Sequence, residues 1–167
     1  MQGRAESPAA MTDLGRDAAV AAKAGAVIAL VGGLGAGKTH WTKGLVAALG
    51  CEAEVTSPTF ALVHEYRAGP VPVFHLDFYR LETAAEVLAL GWDEYLEAGG
   101  VTIIEWADKF PELLPPETIW LCFTVEPDAS RSVRRIASAS HSHADGAADA
   151  LEQAGGGSGQ AIGHATG

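Results

Sequence analysis

The sequence GGLGAGKT at residues 32–39 decides the fold. It matches the pattern G-x-x-x-x-G-K-[S/T], in which glycines allow successive backbone N–H groups to converge on phosphate oxygens. Lys38 supplies a positive charge for the β- and γ-phosphates, and the Thr39 hydroxyl is a suitable ligand for Mg²⁺. The loop therefore predicts a binding site for a nucleoside triphosphate and magnesium.

The segments on both sides of the loop have the pattern that such a loop requires. Residues 26–31 form a continuous apolar run, which predicts a strand buried on both faces. Residues 39–49 are predicted to form a helix that ends at Gly50, and the positive end of its dipole faces the phosphates. This context favours a functional loop over a chance match in a chain with 20 glycines.

The rest of the chain alternates between segments of strand and helix pattern. Helices are predicted at residues 13–23, with Thr12 as the N-cap, and at 83–90 and 92–97. Strands are predicted at residues 59–67, 71–77, 101–106, 119–125 and 132–136. The first two and the last two of these strands are close in sequence, so each pair is expected to run antiparallel. We predict an α/β fold, a P-loop NTPase-like three-layer sandwich with a mixed (parallel and antiparallel) central sheet.

Residues 137–167 differ in composition from the body of the chain. They are rich in Ala, Gly and Ser and contain no Lys or Arg. Such a segment has too few apolar side chains to offset the entropy lost on ordering. We therefore predict a P-loop domain at residues 12–136, followed by a disordered tail at residues 137–167.

Composition limits the classes of partner and compartment. The net charge of −10 repels a phosphate backbone, so a strong direct grip on nucleic acid is not expected. The chain has no 18-residue apolar run, and residues 1–11 lack the apolar core of a secretory signal. Cys51 and Cys122 are far apart and lack metal-ligand spacing. We expect a cytoplasmic protein with reduced thiols and no membrane contact.

Two acidic residues end apolar strands. Asp77 follows the run at residues 71–76, and Glu105 follows the run at residues 101–104. In an open α/β sheet, ligands bind at the carboxyl ends of the strands, so both carboxylates are expected near the loop. Bound Mg²⁺ takes carboxylate or water-bridged ligands. The residues alone leave open which acid holds the metal and which orients a water molecule.

Other polar and aromatic residues near these strands are open to two interpretations. The segment Ser57-Pro58-Thr59-Phe60 has the position at which phosphate-loop proteins often sense the γ-phosphate, although an ordinary strand entry is equally consistent. Trp106 covers the nucleotide or packs in the core, and core packing is favoured for an isolated tryptophan. His64 and His75 lie on predicted strands without a suitably spaced metal partner, so packing roles are predicted for both.

Taken together, the motifs resemble those of the TsaE (YjeE) family of bacterial ATPases. The resemblance spans residues 12–136, and the combination of motifs is far more specific than the phosphate loop alone. It rests on Gly35-Ala36-Gly37-Lys38-Thr39, Ser57-Pro58-Thr59-Phe60, His75-Leu76-Asp77-Phe78-Tyr79-Arg80-Leu81, Leu90-Gly91 with Glu94-Tyr95, and Glu105-Trp106.

The resemblance implies a role in making threonylcarbamoyladenosine at position 37 of tRNAs that read codons beginning with A. It implies an accessory ATPase that uses ATP and Mg²⁺ and docks on the TsaD–TsaB heterodimer. Hydrolysis would be weak in the isolated protein, and tRNA would be reached only through the partners. The acidic charge of the chain agrees with this division of roles.

The resemblance also assigns roles to single positions. Those implied for catalysis are Asp77, Lys38 and Thr59. Those implied for the metal are Thr39 and Glu105. Those implied for the nucleotide are Thr12, Gly33, Leu34, Gly35, Ala36, Gly37, Lys38, Thr39, Trp106 and Arg131.

The chain departs from the family pattern at several points. Gly33 stands where the family usually has Asp, and His40-Trp41 stands where it usually has Thr-Phe. The N-terminal strand of the family is not evident in residues 1–10. Two alternatives remain, a small-molecule phosphotransferase of the nucleoside-kinase type and a nucleotide-dependent interaction module. A kinase of that type usually needs an arginine-rich lid, and the arginines cluster only at residues 131–135.

Overall fold

The computed structural model describes residues 1–139, which form seven strands and four α-helices. The strands are β1 (Gly3–Ala5), β2 (Val27–Val31), β3 (Val63–Tyr66), β4 (Val73–Asp77), β5 (Val101–Glu105), β6 (Ile119–Val125) and β7 (Arg131–Ile136). The helices are α1 (Pro8–Ala18), α2 (Lys38–Ala48), α3 (Ala84–Ala89) and α4 (Trp92–Glu97). Three short 3₁₀ turns lie at Ala19–Ala21, Ala107–Lys109 and Pro111–Leu113.

All seven strands belong to one sheet in the order β1-β7-β6-β2-β5-β4-β3. The central strand β2 pairs in parallel with β5 and with β6, and β4 pairs in parallel with β5. The pairs β3–β4, β6–β7 and β1–β7 are antiparallel. The predicted mixed sheet is confirmed, and so are both predicted antiparallel pairs.

Two apolar clusters cover the two faces of this sheet. On one face α1 and α2 pack over β2, with Trp41, Leu45 and Phe123 among the buried residues. On the other face α3, α4 and the turns after β5 contribute Val87, Trp92 and other residues to the second cluster. Every residue of β2, β4 and β5 is buried, as expected for strands covered on both sides. The predicted three-layer sandwich is therefore confirmed.

The pairing register brings the two strand-end acids together beside the loop. Leu30 is paired with Glu105 across β2 and β5, and Asp77 is paired with Glu105 across β4 and β5. The loop at residues 32–37 begins directly after β2 ends at Val31. Parallel pairing thus places both carboxylates at the same sheet edge as the loop.

The N-terminal region differs from the sequence prediction. The first helix begins at Pro8, with Ser7 as the N-cap, whose hydroxyl accepts a hydrogen bond from the backbone N–H of Ala10 at 3.1 Å. Thr12 lies inside this helix and donates to the carbonyl of Pro8, so its predicted N-cap role is wrong. Proline favours the first helical position because it needs no N–H partner there, which explains why the helix begins at the Ser7-Pro8 pair. The short strand β1 precedes the helix and exists only by pairing with β7.

The strand predicted at residues 59–67 is shorter than expected. The observed strand β3 covers only Val63–Tyr66, because residues 59–62 form a turn. Leu62 has a left-handed backbone with φ of 67°, and its N–H donates to the carbonyl of Pro58. Because of this turn, Thr59 is not paired with β4, and its side chain can form contacts outside the sheet.

Two wider expectations concern membranes and the tail. No helix within residues 1–139 has both the length and the apolar character needed to cross a bilayer. The predicted tail at residues 137–167 lies almost entirely outside the described residues. Of its first residues, Ala139 is 8% exposed and belongs to the second apolar cluster.

Close contact between α1 and α2 depends on two helical glycines. A Cβ on Gly15 would collide with the carbonyl of Trp41, and a Cβ on Gly44 would collide with the carbonyl of Thr12. Because each helix presents a glycine to the backbone of the other, the two helices approach more closely than side chains would permit. This contact fixes α1 against the helix that follows the loop.

We expect Gly44→Ala to lower the free energy of unfolding by about 1–3 kcal/mol through overpacking. At a helical position with room for a methyl group, the same change would stabilise the protein by roughly 0.4–1 kcal/mol. The sign of the change in the free energy of unfolding therefore shows whether the two helices are in close contact at Gly44. Urea-induced unfolding measures the difference, and Ala47→Ser on the exposed side of α2 should stay within about 0.5 kcal/mol of wild type. A stabilised Gly44→Ala variant would show that the helices do not pack this closely.

Candidate functional site

A cavity of about 420 Å³ lies at the carboxyl ends of β2, β4 and β5. Its floor is the glycine-rich loop with the start of α2, and the start of α1 and the segment before β3 form its walls. The lining residues are Ser7, Pro8, Met11, Leu34, Gly35, Ala36, Gly37, Lys38, Thr39, His40, Ser57, Thr59, Asp77, Glu105, Trp106 and Arg131.

The loop has a backbone shape that favours glycine at three positions, one of which is Gly35 with φ of 76°. Gly32 has φ of 136°, and a Cβ there would collide with the carbonyl of Phe123 on the neighbouring strand β6. Gly37 has φ of 102° and is the N-cap of α2, and no side chain from residues 1–139 caps the helix there. The first N–H groups of α2 therefore remain available at the cavity floor, which is the arrangement that favours an anion.

Lys38 places its ammonium group inside the loop. Its Nζ donates to the carbonyls of Gly32 at 2.7 Å and Gly33 at 3.0 Å, and it lies 4.3 Å from the centre of the Trp106 ring. Burial lowers the pKa of Lys38 from its ordinary value of 10.5, while the negative charges of Glu105, Asp77 and Asp108 oppose this shift. The carbonyl groups that accept these hydrogen bonds are neutral. The positive charge of Lys38 therefore remains available to attract an anion in the cavity.

Thr39 and Glu105 form the oxygen-rich part of the site. The Thr39 hydroxyl donates to Glu105 Oε1 at 2.8 Å, and His75 Nε2 lies 3.0 Å from the same oxygen. Burial raises the pKa of Glu105, but the hydrogen bond and charge of His75, the Thr39 hydroxyl and the charge of Lys38 together lower it below its usual value of 4.5. Glu105 is therefore ionised at neutral pH, and a carboxylate beside a hydroxyl is a donor set that fits Mg²⁺.

Asp77 accepts hydrogen bonds from the segment that precedes β3. Its Oδ2 accepts hydrogen bonds from the Thr59 hydroxyl and, at 3.5 Å, from the Ser57 hydroxyl. Its Oδ1 accepts from the backbone N–H of Tyr79 at 2.8 Å. Of the two interpretations left open for this segment, the structure favours the one in which its hydroxyls belong to the site.

Trp106 lies at the cavity wall. Its backbone is left-handed, with φ of 58°, and its ring packs against Tyr79 with ring centres 4.9 Å apart. The side chain is half-buried, packs against the second apolar cluster and also lines the cavity. Both interpretations of Trp106 therefore hold in part, because its ring packs against the core cluster and also faces Lys38.

The structure brings most of the sequence-predicted residues to the cavity. Residues 34–39, Thr59, Asp77, Glu105, Trp106 and Arg131 all line it. Arg131 reaches the loop through a bond from its Nε to the carbonyl of Gly35 at 3.4 Å. Gly33 contributes a carbonyl to Lys38 without lining the cavity, and Thr12 does not line it.

Sequence reasoning missed the lining residues Ser7, Pro8, Met11 and His40, and it also missed the contact made by His75. Ser7 and Met11 line the cavity because α1 begins earlier than predicted, and the Ser7-Pro8 pair was the available signal. His75 was assigned to packing, but it contacts Glu105. Its spacing of two residues from Asp77 on β4 put it on the same face of the sheet, which was a usable signal.

Comparison with known proteins gives consistent results. The family described as threonylcarbamoyl adenosine biosynthesis protein TsaE matches residues 5–135. The tRNA threonylcarbamoyladenosine biosynthesis protein TsaE of Bacillus subtilis is 38% identical over 133 residues, covering 80% of this chain and 83% of that protein. The protein of the same name from Treponema pallidum is 38% identical over 109 residues, covering 65% and 80%. The crystal structure of Bacillus subtilis YdiB superposes with a TM-score of 0.70 at 30% identity, covering 92% of this chain and 95% of that one.

The pKa of Glu105 predicts how stability depends on pH. Because the folded-state pKa is lowered, the ionised group stabilises the fold above its usual pKa of 4.5, and this contribution is lost as pH falls through the lower folded value. We expect urea unfolding to show a steeper loss of stability below about pH 5 in wild type than in Glu105→Gln. The exposed Glu112→Gln variant is the control and should follow wild type. Parallel profiles for wild type and Glu105→Gln would contradict the assigned shift.

Proposed function

The chain belongs to the TsaE family, which takes part in threonylcarbamoyladenosine biosynthesis, and from this we propose that it is an ATPase that serves as an accessory factor in that tRNA modification. The proposed substrate is ATP, and the proposed metal is Mg²⁺. The observation that carries the proposal is the convergence, in one cavity, of the glycine-rich loop, Lys38, the Thr39–Glu105 pair and Asp77.

The phosphates would be held by the loop and Lys38. The uncapped N–H groups at the start of α2 offer several hydrogen bonds to an anion, and the helix dipole favours negative charge at this end. Lys38 would exchange its two loop carbonyls for phosphate oxygens, which form stronger charge-assisted bonds. Arg131, bonded to the carbonyl of Gly35, would add a second positive charge at the rim.

The metal would be held beside Thr39 and Glu105. When bound, Mg²⁺ would neutralise charge on the phosphates that develops during their cleavage. The Thr39 hydroxyl can offer its oxygen to the metal while its proton remains donated to Glu105. The ionised state of Glu105 supports this role, since a hard cation prefers charged oxygen ligands.

Asp77 is the residue we propose to orient the attacking water. Its carboxylate lines the cavity and already accepts hydrogen bonds from the hydroxyls of Thr59 and Ser57. A water molecule would meet the same acceptor, and Asp77 would draw the water proton toward itself. Thr59 would assist by holding Asp77 in place.

The proposed partner is the TsaD–TsaB heterodimer, with tRNA contacted only through that pair. The net charge of −10 supports an indirect role toward tRNA. Leu34 at the cavity rim is 86% exposed, and Phe60, next to Thr59, is 87% exposed. Large apolar side chains exposed beside a site are typical of a protein-binding surface. A partner bound at this surface would complete the site, so we expect hydrolysis to be weak in the isolated chain. The proposed compartment is the cytoplasm.

We expect Lys38→Ala to weaken ATP binding by about 100-fold or more, because a buried charge-assisted contact contributes roughly 2–5 kcal/mol. Isothermal titration calorimetry with ATP and Mg²⁺ measures the change. Lys43→Ala, in the same helix but outside the cavity, is the matched control and should bind as wild type. Unchanged affinity in Lys38→Ala would place the phosphates elsewhere.

We expect Asp77→Asn to retain ATP binding and to lower hydrolysis by roughly 100-fold or more, as for loss of a catalytic acid–base group. Phosphate release is measured for the isolated chain and with the TsaD–TsaB pair, which should raise the wild-type rate. Asp93→Asn, exposed on α4, is the control and should respond to the pair as wild type does. Fast phosphoryl transfer to a free nucleoside with no partner effect would instead indicate a small-molecule kinase, and binding without hydrolysis would indicate an interaction module.

A further inference from the structure

We propose that His75 is a positioning residue that holds the Glu105 carboxylate in the orientation needed to bind a divalent cation. The proposal rests on the proposed Mg²⁺–ATP site and assigns a role to a residue that does not line the cavity. His75 acts through Glu105 and has no contact with the cavity of its own.

The environment of His75 is that of a deeply buried polar group. The side chain is fully buried on β4, between β3 and β5. Its Nε2 lies 3.0 Å from Glu105 Oε1, and its Nδ1 has no hydrogen-bond partner within residues 1–139. A carboxylate oxygen can only accept, so Nε2 carries the proton of this bond.

The single bond makes a pure packing role a poor explanation. A buried imidazole with one unpaired nitrogen is less favourable than an apolar side chain of similar volume. Within residues 1–139, the only polar interaction that offsets this penalty is the one with Glu105. His64, its direct neighbour on β3, contacts Tyr66 instead and is only partly buried, so it does not share this arrangement.

The hydrogen bonds at Glu105 are asymmetric. Thr39 and His75 both donate to Oε1, and Oε2 accepts no hydrogen bond from residues 1–139. Two donors on one oxygen restrain rotation of the carboxylate and leave Oε2 as the oxygen available to a cation. Without His75, the bond from Thr39 alone would permit Glu105 to turn, and the hydroxyl of Thr39 would lose its fixed acceptor.

The test separates the metal from the nucleotide. We expect His75→Leu to weaken binding of ATP in the presence of Mg²⁺ by about 10–100-fold, as for loss of a residue that supports a metal ligand. Binding of ATP with EDTA should stay within about twofold of wild type, since the loop and Lys38 are unchanged. His75→Gln, which keeps an N–H donor at a similar distance from the backbone, should restore most of the Mg²⁺ effect. His64→Leu is the matched control and should bind as wild type under both conditions.

Any of three results would overturn the proposal. One is a His75→Leu variant that binds Mg²⁺ and ATP as tightly as wild type. Another is an equal loss of affinity with and without Mg²⁺, and the third is no recovery in His75→Gln. Either of these would indicate general damage to the fold.

A double-mutant cycle in the metal-free protein tests the contact independently of nucleotide binding. Unfolding by urea is measured for wild type, His75→Leu, Glu105→Leu and the double variant, because leucine at position 105 has no atom that can accept the bond from His75. We expect the two single effects to be non-additive, because each removes the same bond. Additive effects would contradict the positioning role. If the wild-type protein failed to bind ATP, the proposed function would be overturned. The double-mutant cycle would still show whether His75 restrains Glu105, because it measures unfolding and needs no nucleotide.

Discussion

The parallel pairing of β2 with β5 is the constraint on which the site depends. It sets Leu30 opposite Glu105, so the loop leaves the sheet one residue beyond a buried carboxylate. The helix that follows then begins at Lys38 and brings Thr39 within 2.8 Å of that carboxylate. A shift of one residue in this register would turn Glu105 to the opposite face of the sheet and separate it from Thr39. The chemistry of the site is therefore a consequence of strand register.

The helix layer completes what the sheet begins. Gly15 and Gly44 allow α1 to rest on α2 with backbone contact, and the N-terminal end of α1 contributes Ser7 and Met11 to the cavity wall. The cavity is thus formed between the loop and a helix that precedes it in the chain. On the opposite wall, Asp77 draws Thr59 toward the same space. Three separate parts of the chain meet there because the central sheet holds each of them.

The electrostatics of the site contrast with those of the whole chain. The chain is acidic, yet Lys38 lies at the cavity floor, 4% exposed, and its hydrogen-bond partners in the described part of the chain are neutral carbonyls. Glu105 is kept ionised by His75, Thr39 and Lys38 despite its burial. A cation and a carboxylate are therefore both present and separately supported, which suits a ligand made of phosphates and a metal ion.

The sequence by itself determined the phosphate loop, the α/β class, both antiparallel strand pairs and the acids Asp77 and Glu105, because these depend on local patterns of glycine, apolar runs and strand ends. It did not determine the short strand β1, the start of α1 at Pro8, or the turn that frees Thr59. β1 forms by pairing with β7, which is distant in sequence. The turn at Leu62 has a left-handed backbone, and the sequence has no glycine at that position to indicate it. Nor did it predict that His75 contacts Glu105. Only the tertiary structure decided these contacts, because they join residues on different strands whose distance is set by packing rather than by sequence separation.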